Sequence, residues 1–104
     1  MFDLKQLQKL QKEMQEQMGS MEKELAEARV EATSGGGVVT AVANGVQEIV
    51  SIKIKPEAID LDDIEMLEDL VLAAVNSALE KAKELNQSKM SRIMGGMKLP
   101  GLPF

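Results

Sequence analysis

The chain has no cysteine, no histidine, no tryptophan and no tyrosine, and its only aromatics, Phe2 and Phe104, stand at its two ends. Without cysteine there is no disulfide framework and no thiolate chemistry, an absence that fits a reducing cytosol. Without histidine the usual general base, the commonest zinc ligand and any Ser-His nucleophile pair are missing. No apolar run approaches the roughly 18 residues of a membrane span. The opening MFDLKQLQKL is amphipathic rather than signal-like, because polar residues interrupt it at every turn. No acids converge on a plausible pocket, so the expectation is a protein that is not an enzyme. It should need no cofactor, hold no metal, take no small-molecule substrate and cross no membrane.

What remains is an aliphatic, charged chain of 104 residues, enough for one small domain. The net charge of −5 opposes nonspecific binding to nucleic acid, but its distribution matters more than its sum. Lys5, Lys9 and Lys12 face only Asp3 in the first twelve residues. Residues 13–35 and 60–70 are strongly acidic, and residues 71–104 are basic again. Both ends are therefore positive and the middle is negative.

From Asp3 to about Ala28, Leu4, Leu7, Leu10, Met14, Met18, Met21 and Leu25 recur at three- and four-residue steps, predicting one amphipathic helix roughly 40 Å long. The spacing is close to a heptad seam broken by Gln11, with the lysines on the opposite side. Asp3 suits the N-cap. Three strands follow, over Val30–Ser34, Val38–Ala43 and Val46–Ile54, joined by Gly35-Gly36-Gly37 and by Asn44-Gly45. Asn-Gly predicts a two-residue type I′ hairpin that pairs Ala43 with Val46 and Val39 with Val50. Val39, Ala41, Ala43, Val46, Val50, Ile52 and Ile54 then share one almost wholly apolar face. Val38, Val42 and Ile49 lie on a mixed face that needs cover. After Pro56, with Asp60 or Asp62 as cap, a second helix runs to about Arg92 or beyond. Ile64, Leu67, Val71, Ala74, Val75, Ala78, Ala82 and Leu85 form its buried stripe. The architecture expected is α+β: long helix, three-stranded antiparallel sheet, long helix. Residues 1–94 form a single domain and residues 95–104 a flexible Gly/Pro-rich tail.

Three motifs have plain readings. The triple glycine lacks the Gly-Lys-Ser/Thr and the helix of a phosphate loop, so it reads as a turn. The acids Asp60, Asp62, Asp63 and Glu65 lack the central glycine of a calcium loop and read as helix capping. Met14, Met18 and Met21 lie on the first helix's seam and read as packing. The basic residues are the sharpest signal. If the two helices pack antiparallel, Lys5, Lys9 and Lys12 meet Lys83, Lys89, Arg92 and Lys98 at the far tip. The plain alternative is a solvated helix end, with lysines complementing the dipole.

The amphipathic first helix, VEATSGGGVVTAVANGVQEIVSIKI, the Pro-Glu turn, DDIEMLEDLVLAAVNSALEKAKEL and the tail GGMKLPGLPF together resemble the YbaB/EbfC nucleoid-associated proteins of bacteria. The resemblance covers essentially the whole chain. It implies a cytoplasmic, nucleoid-located homodimer that binds double-stranded DNA, tweezer-like, with helical arms on a shared β core. It identifies no DNA-contacting residue. The seven basic residues named above are expected to meet phosphate, which needs only Lys or Arg. Val38, Val42, Ile49, Val50 and Ile52 are expected to form the dimer core. The rival expectation is a protein-interaction module resembling prefoldin, whose client-holding tips would be Phe2, Leu4, Ile93 and Met94.

Overall fold

In a computed structural model the chain is described over residues 3–96, with side chains described as far as residue 92. Lys98, Met97, Phe2, Phe104 and the tail from residue 97 lie outside the described residues, as do the side chains of Ile93 and Met94. The order of elements is helix α1 (Leu4–Glu27), strands β1 (Val30–Ser34), β2 (Val39–Ala43) and β3 (Ile49–Ile54), a single 3-10 turn over Pro56–Ala58, and helix α2 (Ile64–Gly96). Gly95 and Gly96, assigned to the tail on composition, thus belong to α2.

The sheet is antiparallel in the order β1-β2-β3. Gly35, Gly36 and Gly37 all have positive φ, at 61°, 71° and 97°. Side chains are strained there, so the triple glycine lets the chain reverse tightly between β1 and β2.

The second turn differs from the expected two-residue hairpin. Asn44 and Glu48 close a three-residue loop, with the Gln47 amide donating to Asn44 O at 3.2 Å and the Asn44 amide to Glu48 O at 2.9 Å. Positive φ falls on Gln47, at 63°, and not on Gly45. A type I turn followed by a left-handed residue is the usual alternative to type I′. Buried Asn44 holds it, its Oδ1 accepting from the amides of Val46 and Glu48, both at 3.0 Å.

Gly45 has a different task. Its amide donates to Leu25 O at 2.7 Å. A Cβ there would stand 2.8 Å from Leu25 O and 3.0 Å from Leu25 Cα. Glycine is needed because the end of α1 lies against the turn.

The longer loop shifts the register, so that Val39 pairs with Ile54 and Ala41 with Ile52, while a bulge lets Ala43 face Ile49. Val39 thus moves from Val50 to Ile54, an even slip that keeps Ile52 and Ile54 on the expected face.

One face of the sheet receives α2. Ala32, Val39, Ala41 and Ala43 meet Ala74, Ala78 and Ala82 in an interface of small side chains, and among the described residues Val39 is the only side chain larger than alanine that is wholly buried. Helix α2 lies over β1 and β2 and barely touches β3. The cap of α2 is Asp63, not Asp60 or Asp62, and its Oδ1 accepts from the Met66 amide at 3.2 Å. Asp60 instead folds the preceding turn, accepting from the Asp62 amide at 3.0 Å. Asp3 stands at the N-cap of α1, where its carbonyl, not its side chain, accepts from the first turn.

Helix α1 is an arm. Only Met21 and Leu25 are buried along it. It makes no broad contact with another element among the described residues. Helix α2 spans about 50 Å at 1.5 Å per residue. The long axis of the chain is 72 Å, so α1 extends well beyond the sheet.

Two glycine substitutions separate these effects. Gly45→Ala should lower stability by about 1–3 kcal/mol through overpacking against the Leu25 backbone. Gly19→Ala, with nothing within 4 Å of the new Cβ, should raise it by up to about 1 kcal/mol through helix propensity. Urea unfolding followed by circular dichroism reads both. Equal effects of the two would contradict the contact described.

Candidate nucleic-acid interface

On α1, Lys5, Lys9 and Lys12 lie within about 60° of one another around the axis, some 150–170° from the middle of the apolar stripe. All three are exposed. No acid falls between residues 4 and 12. Farther along the same side Lys23 stands between Glu16 and Glu27, so positive charge without an interleaved acid is found only on the outer third of the arm.

The α2 candidates divide. Lys89 and Arg92 continue the line of Ala78, Ala82 and Leu85 past the edge of the sheet, where the base of α1 replaces β-strand as neighbour. Lys89 Nζ there meets Glu24 Oε2 at 3.2 Å, the only ion pair among the described residues. Arg92 is exposed. Lys83 is also exposed but lies about 180° around the helix from Arg92 and about 120° from Lys89, so it faces elsewhere. Lys98 lies outside the described residues.

The six candidates among the described residues therefore do not form one cluster within a chain. Lys89 is anchored at Glu24, near the base of α1, and Lys5 is nineteen positions up that helix, about 28 Å away. The expected meeting of both helix ends at one tip is a correction. The reason is the length of α1, which passes beyond the end of α2 once Leu25 is fixed at Gly45. The spacing of apolar residues showed two long helices but held no information on their offset.

Lys81, which is not among the candidates, has a structural role. Lys81 Nζ donates to Glu31 O at 2.7 Å, closing α2 onto the outer edge of β1. Its place in the KAKEL run gave no hint of this role.

The dimer-core candidates divide too. Val38 and Ile49 pack against the chain's own core. Val42 is half-buried on the sheet face away from α2. Val50 and Ile52 are each 43% exposed, and Ile54 39%, along the β3 edge. Beside them Ile54, Leu67, Glu68, Val71, Leu72 and Val75 line an open groove of 460 Å³. No group of acids that could hold a metal ion occurs among the described residues. No helix there is long and apolar enough to cross a membrane.

Residues 1–97 match the model of a family described as the YbaB/EbfC DNA-binding family. A nucleoid-associated protein of Thermoanaerobacter pseudethanolicus is 52% identical over 101 residues, covering 97% of this chain and 91% of that protein. Another, from Caldanaerobacter subterraneus, is 54% identical over the same shares of the two chains. A third, from Clostridium botulinum, is 56% identical over 95% of this chain and 84% of its own. Among solved structures, an uncharacterized protein from Helicobacter pylori superposes with a TM-score of 0.76 at 26% identity, covering 92% of this chain and all of that one. The arrangement of helix, three-stranded sheet and helix agrees with that neighbour.

The Lys89–Glu24 pair is exposed, 31% and 62% on its two side chains. Lys89→Met should therefore change unfolding free energy by no more than about 1 kcal/mol. A loss well beyond that in a urea titration would make the pair a structural clamp rather than a surface contact.

Proposed function

We propose a function from one premise: this chain belongs to the YbaB/EbfC DNA-binding family. It binds double-stranded DNA as a homodimer, works at the nucleoid in the cytoplasm, and contributes there to nucleoid organisation or gene regulation. The names of its relatives support the nucleoid setting. The observation that carries the mode of binding is the outer third of α1. Three exposed lysines share one side with no acid among them, about 18–28 Å from the base of the arm at Glu24.

The chemistry is electrostatic. Each lysine that neutralises a phosphate releases condensed counterions, so affinity falls steeply with salt. Lysine ammonium groups on flexible stems carry little sequence information, so preference among DNA sequences is weak. The acidic body repels DNA and keeps the contact at the arms. Lys89 and Arg92 form a lesser contact nearer the base, because Glu24 already pairs with Lys89. Lys83 contributes least, since it lies on another side of α2.

Fluorescence anisotropy on a short duplex tests this. Replacing Lys5, Lys9 and Lys12 together by Ala should weaken binding at least about tenfold and flatten the slope of log affinity against log salt by about three for each arm that contacts DNA. Lys83→Ala should leave affinity within about twofold. Unchanged binding in the triple variant would remove the arms from the contact. Binding indifferent to salt would reject the phosphate mechanism altogether.

A further inference from the structure

Asn44 and Gly45 combine two features that conflict. A glycine after asparagine leaves the next backbone nitrogen without steric cover, so the asparagine side chain is open to attack by its own main chain. Of the three asparagines, only Asn44 precedes glycine. Yet both residues are buried, Asn44 to 6% exposure, and each atom such a reaction uses is already engaged. The Gly45 nitrogen, the nucleophile, donates to Leu25 O at 2.7 Å. Gly45 O accepts from Asn86 Nδ2 at 3.0 Å. Asn44 Nδ2, the leaving group, donates to Glu48 Oε1 at 3.1 Å. Asn44 Oδ1 accepts from the amides of Val46 and Glu48, both at 3.0 Å.

We propose that Asn44-Gly45 is a self-modification site that the seated arm keeps inert: when α1 lifts from the turn, the Gly45 nitrogen is freed and Asn44 deamidates. The inference stands apart from DNA binding, since it concerns only how the arm is held.

The bonds around the pair divide by reach. Those to Oδ1 and Nδ2 lie within residues 44–48 and survive when α1 leaves. They keep the side-chain carbonyl polarised by two N–H donors, the arrangement that stabilises an oxyanion. The bond to Leu25 O is the one that α1 itself supplies. While it stands, the nitrogen's proton points at a carbonyl and away from water, so no base reaches it. Proteins open locally without unfolding as a whole, least expensively where few apolar side chains are buried. Along α1 only Met21 and Leu25 are buried, which makes the arm such an element.

Once the arm lifts, hydroxide removes the Gly45 amide proton and the nitrogen bonds to Asn44 Cγ. The Cγ–Nδ2 bond breaks, and Nδ2 leaves as ammonia with a proton from water, which regenerates hydroxide. Water then opens the resulting succinimide at either carbonyl, giving aspartate or isoaspartate. The sum is one water consumed and one ammonia released, with no oxidation or reduction. Neither product restores the seat. Isoaspartate adds a methylene to the main chain just before Gly45, displacing the amide from Leu25 O. Aspartate sets a second carboxylate against Glu48, where Nδ2 donated. A transient undocking thereby becomes permanent.

The full-length chain is incubated in mildly alkaline buffer and residue 44 is followed by peptide mapping with mass spectrometry. In the folded wild type, deamidation should run at least about tenfold slower than in the same chain unfolded by urea. Leu25→Ala, which weakens the end of α1 on the turn, should accelerate it at least about tenfold while circular dichroism shows the chain still folded. Asn86→Ala, a milder change that removes the bond to Gly45 O, should accelerate it in the same direction. Val39→Ala weakens the core at the other end of β2 and should leave the rate within about twofold. Equal rates in the folded and unfolded wild type would overturn the protection. Acceleration by Val39→Ala in proportion to its loss of global stability would overturn the role of the arm. So would a folded Leu25→Ala or Asn86→Ala chain that reacts no faster than wild type.

Discussion

The disposition of the whole molecule depends on one short hydrogen bond, from the Gly45 amide to Leu25 O at 2.7 Å. It joins a hairpin turn to the last turn of a helix, backbone to backbone, with no side chain between. Only Ala28 and Arg29 then separate α1 from β1. With so short a connection, fixing Leu25 fixes the direction of the arm. Asn86 reinforces the arrangement from α2, its Nδ2 donating to Gly45 O at 3.0 Å. Helix, turn and second helix meet at this point, and the positions of all the arm's lysines follow from it.

Much of the fold was legible in the sequence because it rests on local pattern. The three-and-four spacing from Leu4 to Leu25 gave α1 within a residue at each end. Val30–Ser34 gave β1 unchanged, and the alanine-rich stripe of α2 fell where the periodicity put it. The hairpin register was not legible. Asn-Gly favours type I′ when glycine is free to take positive φ, and here Gly45 is held by a helix twenty residues earlier in the chain. That constraint is tertiary and leaves no local trace. The offset of the two helices was hidden for the same kind of reason. A one-dimensional charge map can show two basic ends but not that one helix outruns the other.

The charge pattern acquires sense from the shape. The acids of residues 60–70 surround the start of α2, where they favour the positive end of its dipole. The lysines of α1 are at the end of a long lever pointing away from that region within the same chain. Separation of this kind lets an acidic protein present a positive surface, because screening in salt extinguishes most interaction beyond about 10 Å. Net charge is then a poor guide to what the molecule binds.

The seam of alanines between sheet and α2 has a calorimetric meaning. Ala32, Ala41 and Ala43 against Ala74, Ala78 and Ala82 allow the helix to lie close, but each buries little apolar area. The heat-capacity change of unfolding scales with the apolar surface exposed. For one chain it must fall below the usual 12–15 cal/mol/K per residue. A smaller heat-capacity change lowers the curvature of stability against temperature.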